Sequence, residues 1–258
     1  MSSHVVHLLL TVIVLFSIGY IKKVYSAIIQ EKLKEQVVLG DANSMGLIPD
    51  EHKEHLKSEL EEKMEKPVKI VMFTQEIECK FCAETRQLIQ ELATLSDKIK
   101  IEIYDFVANS DKAKEYGVDK VPAIAVVGEK DYGIRFYGIP FGYEFQTFTE
   151  AIVNVSTGKT NISDKAREML KEIKTPAHIQ VFVTLTCPHC PMAAGTAHKL
   201  AIESDLVKAD VIDGSEFPHI ALKYGVMGVP KTVINEKIEF VGALPEDLFI
   251  EHVLLATH

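Results

Sequence analysis

All four cysteines of this 258-residue chain fall in two C-x-x-C pairs, Glu78-Cys79-Lys80-Phe81-Cys82-Ala83 and Thr186-Cys187-Pro188-His189-Cys190-Pro191. On a helix, positions i and i+3 share one face with Cα atoms about 5 Å apart, within the reach of a disulfide. A cysteine at a helix N-terminus also meets unpaired amide N–H groups and the positive end of the macrodipole, which favour its thiolate. Such pairs can carry thiol–disulfide exchange through a mixed disulfide. Cys79 and Cys187 are then the nucleophiles, and Cys82 and Cys190, one turn deeper, the resolving thiols. His189, when protonated, and Lys80 each add positive charge beside a developing thiolate. Glu76, Glu78 and Glu84 oppose that effect at the first pair, so Cys187 is expected to be the more acidic and dominant nucleophile.

Metal readings fit the spacing less well. Paired C-x-x-C zinc ligands usually stand about 15 to 20 residues apart, and here the separation is 187 − 79 = 108. Haem attachment requires His after the second Cys, where Ala83 and Pro191 stand. His178, His198 and His219 have no metal-ligand spacing and read as ordinary residues, so no metal is expected.

The elements that position the pairs come as a repeat. At the same offset of 108 recur Leu92 and Leu200, Asp105 and Asp213, Tyr116-Gly117-Val118 and Tyr224-Gly225-Val226, and Val121-Pro122 and Val229-Pro230. This period matches a small domain and exceeds a solenoid repeat. The expected organisation is an N-terminal segment 1–44, a first domain 45–157 with a leading helix, and a second domain 158–258. In the first unit, Asp50 should cap a charged helix ended by Pro67. Strands follow at 68–73, 99–107, 123–127 and 135–137, with helices from the cysteines to 95, over 110–116 and over 145–155. The order β-α-β-α-β-β-α then recurs, with strands at 178–183, 207–212, 232–234 and 238–241 and helices at 163–173, 192–203 and 245–256.

With 47% hydrophobic residues and a net charge of −9, the chain can bury two modest cores, and no basic stripe suggests a nucleic-acid partner. Residues 5–21 carry no charged side chain unless His7 is protonated, and Lys22-Lys23 follow. Three readings compete. The run is a cleaved signal peptide, with Val24-Tyr25-Ser26 as its cleavage site. Alternatively it is a signal anchor that leaves the catalytic part in the cytoplasm. In the third reading Met45 is the true start and residues 1–44 an over-extended gene start.

A C-x-x-C at a strand-to-helix junction, followed some forty residues later by Val-Pro opening a β-hairpin, resembles the thioredoxin and glutaredoxin superfamily. Two such units in tandem resemble the archaeal-type protein disulfide oxidoreductases, glutaredoxin-like relatives of protein disulfide isomerase. The resemblance runs from Met45-Gly46-Leu47-Ile48 to the C-terminus and includes Phe136-Tyr137-Gly138-Ile139-Pro140 and Val226-Met227-Gly228-Val229-Pro230-Lys231. Its start at Met45 adds weight to the third reading of the N-terminus.

The resemblance implies an α/β protein of two tandem thioredoxin-like folds, each a mixed four-stranded sheet flanked by helices. It also implies cis peptide bonds before Pro122 and Pro230, with the backbones of Val121 and Val229 offered to an extended substrate. Protein disulfides would be the substrates, a thioredoxin-reductase-like partner the electron donor, the two disulfides the redox groups without a bound cofactor, and the cytoplasm the setting. Thioredoxin's buried Asp, six residues before its first cysteine, takes the proton of the resolving thiol; Phe73 and Val181 replace it, which leaves Glu76 as the candidate for that task. A chaperone-like module that binds unfolded chains, or a structural zinc protein, is the alternative.

Overall fold

The computed structural model describes residues 46–257, so the expectations placed on residues 1–44, among them the apolar run 5–21, lie outside the described residues. Helix α1 (Asp50–Lys63) opens the described chain. Its N-cap is Pro49 and Asp50 is already helical, because the fixed φ of proline suits the entry to a first turn that lacks amide partners. Only Leu56 and Leu60, four residues apart on one face, are buried in this helix. It is the solvated packing helix that its charge pattern suggests.

Strands β1 (Val68–Thr74), β2 (Ile99–Asp105), β3 (Ala123–Val127) and β4 (Asp131–Tyr137) follow, with helices α2 (Cys82–Ala93), α3 (Ser110–Glu115) and α4 (Glu144–Thr157). After α5 (Asp164–Leu170) the same order returns as β5 (Ala177–Val183), α6 (Cys190–Glu203), β6 (Val207–Asp213), α7 (Pro218–Lys223), β7 (Lys231–Ile234), β8 (Ile238–Val241) and α8 (Glu246–Thr257).

The strands form a single eight-stranded sheet in the order β2-β1-β3-β4-β6-β5-β7-β8. Each half is the mixed four-stranded sheet expected, and the two join where β4 pairs in parallel with β6, Ile134 with Ala209 through Tyr137 with Ile212. Because side chains alternate across a pleated strand, each strand feeds both faces. Ile70, Met72, Phe136, Val181 and Val211 enter the larger core with α1, α2, α4, α5, α6 and α8. Val71, Phe73, Tyr137, Phe182 and Ile212 enter a smaller core that includes Ala113 of α3, with Ile220 of α7 packed against it.

The larger core crosses the junction. The Phe136 ring sits edge-on to Phe148 at 5.2 Å and 4.8 Å from the ring of His198. His198 is fully buried with both ring nitrogens unpartnered, and burial drives its pKa down to about 3, which keeps it a neutral core residue. Among the described residues no helix is long and apolar enough to cross a membrane.

Candidate active site

Both cysteine pairs follow the C-terminal end of a strand and lead into a helix, and both are closed as disulfides with Cα atoms 5.5 Å apart. The helices begin at the second cysteine of each pair, Cys82 and Cys190, with Phe81 and His189 as N-caps. Cys79 and Cys187 therefore precede the first helical turn, where the expectation put them inside it. The two residues between the cysteines form a turn, so the first cysteine stands just before the end of the helix that carries free amides.

The second cysteine is buried in each pair, Cys82 at 2% and Cys190 at 0% exposure. Cys187 is 8% exposed, while Cys79 is only half-buried.

Val121-Pro122 and Val229-Pro230 are both cis. Directly after each, the chain repeats one contact at the far end of the hairpin: the Gly138 amide donates to the Pro122 carbonyl at 3.0 Å, and that of Gly242 to Pro230 at 2.8 Å. The glycines take φ of 103° and 100°, backbone that a side chain disfavours. At the second centre Sγ of Cys187 lies 3.7 Å from the carbonyl oxygen of Val229, so the structure brings these two expected residues together.

The charged neighbours differ between the centres. Lys80 sits over the Phe81 ring at 4.8 Å. Glu76 lies on the surface, its side chain 61% exposed and held 2.8 Å from the Arg86 guanidinium, so the buried carboxyl considered there is absent. Glu78 adopts φ of 59°. It belongs to a loop of four residues between Thr74 and Cys79, whereas three residues separate Val183 from Cys187. Counting back six residues therefore reaches different places: Phe73 lies in the smaller core and Val181 in the larger one. The residue equivalent to Phe73 is Phe182, each standing one before the strand residue that pairs with Asp105 or Asp213. His189 is exposed, and the first turn of α6 contains no acidic residue.

Two carboxyls that escape a sequence reading lie between the centres. Glu144, at the start of α4, is 2% exposed with both oxygens unpartnered. Burial, with Asp213 adding its charge, raises its pKa to about 7. The preceding residue, Tyr143, donates its amide to the Leu185 carbonyl at 3.1 Å, which ties this end of α4 to the loop before Cys187.

Glu216, from the second half, accepts the Ile139 amide at 2.7 Å. Burial pushes its pKa up to about 7, with Lys80 and Glu84 of the first centre among the charges it feels. Glu144, an acid in the first turn of α4, reads in the sequence as an ordinary dipole partner, and only the fold reveals its burial. Among the described residues no group of three or more His, Cys, Asp or Glu could hold a metal ion.

Comparison with known proteins agrees with this arrangement. The thioredoxin domain family matches residues 177–255. The crystal structure of a protein disulfide oxidoreductase from Aeropyrum pernix is 30% identical, superposes with a TM-score of 0.75, and is covered over 93% of its length by 81% of this chain. The chain belongs to the protein disulfide oxidoreductases. The tandem thioredoxin-like architecture and the thiol–disulfide chemistry expected of the two pairs are borne out at the level of this family.

An NADH dehydrogenase of Bacillus subtilis is 29% identical over 150 residues, 57% of this chain. A component of the alkyl hydroperoxide reductase of Escherichia coli is 26% identical over 185 residues, 72% of this chain. The chain spans only 27% and 33% of the length of these two relatives.

Proposed function

We propose that this protein exchanges electrons with the disulfides of other proteins through both pairs, with Cys187–Cys190 as the principal centre. In the reducing direction the Cys187 thiolate attacks a substrate disulfide and expels one substrate thiolate. Cys190 then attacks the mixed disulfide, releasing the second thiolate and leaving the Cys187–Cys190 disulfide, so two electrons pass to the substrate. Cys79 and Cys82 take the same parts at the first centre.

The observation that carries this reading is the closed Cys187–Cys190 disulfide at a helix entrance with the Val229 carbonyl 3.7 Å from Cys187 Sγ. A chain extended along Val229-Pro230 would bring its own disulfide to that sulfur, and Val121-Pro122 would serve the first centre. Met227 and Met192, 96% and 62% exposed, flank the second centre with adaptable apolar surface. The work divides between units at 45–157 and 158–258, in the cytoplasm. Its electrons come from a separate pyridine-nucleotide-dependent reductase, a reading supported by the likeness to part of an NADH dehydrogenase.

The test is turnover of insulin disulfides by wild type, by the double variant C187S/C190S and by C79S/C82S. Loss of nearly all turnover in C187S/C190S and retention of a fraction in C79S/C82S supports the proposal. Full activity of the quadruple Cys→Ser protein in suppressing aggregation, with negligible turnover by wild type, would favour the chaperone-like alternative.

A further inference from the structure

The two centres differ beneath the disulfide as well as around it. Four residues after the second cysteine of each pair, on the same helix face, stand Arg86 in α2 and Ala194 in α6. Both are buried. The strands that lead to the pairs differ in the same place: Thr74 closes β1 and Val183 closes β5, each in register with the equivalent aspartate, Asp105 or Asp213. The first half thus carries a buried polar pair, Arg86 and Thr74, where the second half is apolar. Because the second half folds with Ala194 and Val183 there, the fold has no need of a cation at that position.

A guanidinium is costly to bury unless its charge finds a use, and Arg86 is 8% exposed. Long side chains on a helix lean back toward its N-terminus. Arg86 does so: its Nη2 donates to the Thr74 hydroxyl at 3.4 Å and to the Glu76 carboxylate at 2.8 Å. Thr74 ends the strand below the first pair, and Glu76 stands three residues before Cys79. The guanidinium is therefore held between the first turn of α2, which begins at Cys82, and the root of the loop that carries Cys79.

The other charges of this centre act from the surface. Glu76, Glu78, Lys80 and Glu84 are exposed, so water and salt screen them. Asp105 is buried and accepts the Ala108 amide at 2.6 Å, but Asp213 fills the same place in the second half and so makes no difference between the centres. Arg86 does make one, and it acts from the interior, where a charge is felt more strongly. The closed disulfide is neutral. When two electrons enter it, the S–S bond breaks, one sulfur takes a proton and the other keeps the negative charge, so a cation beside the pair favours the reduced form.

We propose that Arg86 is a positioning residue of the first centre: its buried cation stabilises the thiolate of the reduced Cys79–Cys82 pair, and Glu76 limits from the surface how much of that charge the pair feels. This rests on the reading of Cys79 and Cys82 as a redox pair. The acids of the first centre oppose the cation, so the pair remains the less oxidising of the two.

The experiment is a glutathione redox titration of the full chain at pH 7, each cysteine pair followed by alkylation and mass spectrometry, with Cys187–Cys190 as the control within the same molecule. Arg86→Gln should shift the Cys79–Cys82 equilibrium toward the disulfide by about tenfold, the equal of one pKa unit of thiolate stabilisation. Arg86→Lys, which keeps the charge, should stay within about threefold of wild type. Glu76→Gln, a surface change that leaves the core intact, should shift the equilibrium about threefold toward the dithiol. The Cys187–Cys190 equilibrium should hold in all three. An unmoved Cys79–Cys82 equilibrium in Glu76→Gln or in folded Arg86→Gln, or equal shifts at both pairs, overturns the proposal. A wild-type Cys79–Cys82 pair with no reversible transition, beside a Cys187–Cys190 pair that has one, would instead overturn the redox reading of the first pair itself.

Discussion

The two dithiol centres share one backbone plan and differ in what surrounds it. Around Cys187 the nucleophile is largely buried, its helix opens with Pro191 and has no acid in its first turn, and the loop before it is one residue shorter. Around Cys79 the sulfur is half-buried, Glu78 and Glu84 stand in sequence on either side of the pair, and Glu76 is paired with Arg86. The fold supplies the same dipole to both sulfurs. What differs is how far local charge cancels it, and that is where two copies of one unit can acquire different work. Each half also lends the other an acid: the buried Glu144 of the first lies near the loop before Cys187, and the half-buried Glu216 of the second feels the charges of Lys80 and Glu84.

The strongest way to break the comparison is to remove each nucleophile. Cys187→Ser should lower insulin-disulfide turnover on the order of a thousandfold, and Cys79→Ser by well under that. Equal losses would mean that the centres act only in series.

The next effect concerns Glu144. A carboxyl whose folded pKa, about 7, lies above its ordinary value of 4.5 binds more protons in the native state between those values, so its contribution to stability declines as pH rises from about 4.5 to 7. Glu144→Gln removes that decline. At pH 8 the variant should be more stable than wild type by an amount on the order of 3 kcal/mol, read from urea unfolding, with the gap closing near pH 5. A gap independent of pH would refute the buried carboxyl.

A finer test addresses the acids of the first centre. Glu84→Gln should lower the Cys79 thiol pKa by about half a unit, an effect the size of a single charge at a helix terminus, measured by thiolate absorbance in C187S/C190S protein. No change would leave the asymmetry to burial alone.

The smallest effect lies at the seam. Hydrogen bonding to Asp210 raises the His178 pKa from its ordinary 6.5, against the opposing charges of Lys120 and Lys208. That contribution is full below the unfolded value and lost as pH rises through the raised one. Because the His178 ring is 47% exposed, His178→Gln should cost no more than about 1 kcal/mol at pH 5.5, and the loss should vanish by pH 9.

Much of this is legible in the chain itself. The β-branched runs at Ile70 and Ile179, the alternation of Ile99–Asp105, and the recurrence of Val-Pro after each cysteine pair are local signals. They place both disulfides and every strand but β4 to within a residue or two; β4 begins at Asp131, four residues before the expected start at Arg135. The union of β4 with β6 is not legible, because parallel pairing between distant segments leaves no pattern in either strand. Helix α7 is expected only from the recurring order, without bounds: it has six residues, begins at Pro218 and buries none of its side chains, so no periodic signal marks it. The extra residue before Cys79 misaligns Phe73 with Val181. Glu144 and Glu216 look like surface residues in the chain; Glu144 is buried and Glu216 half-buried where the two halves meet.

The most direct test of the account is an equilibrium redox titration in glutathione buffers, each cysteine pair followed separately by alkylation and mass spectrometry. Two reversible two-electron transitions are predicted, with Cys187–Cys190 the more oxidising because its reduced form gains more from a stabilised thiolate. A pair that shows no reversible transition, or a Cys79–Cys82 potential above that of Cys187–Cys190, would contradict the account.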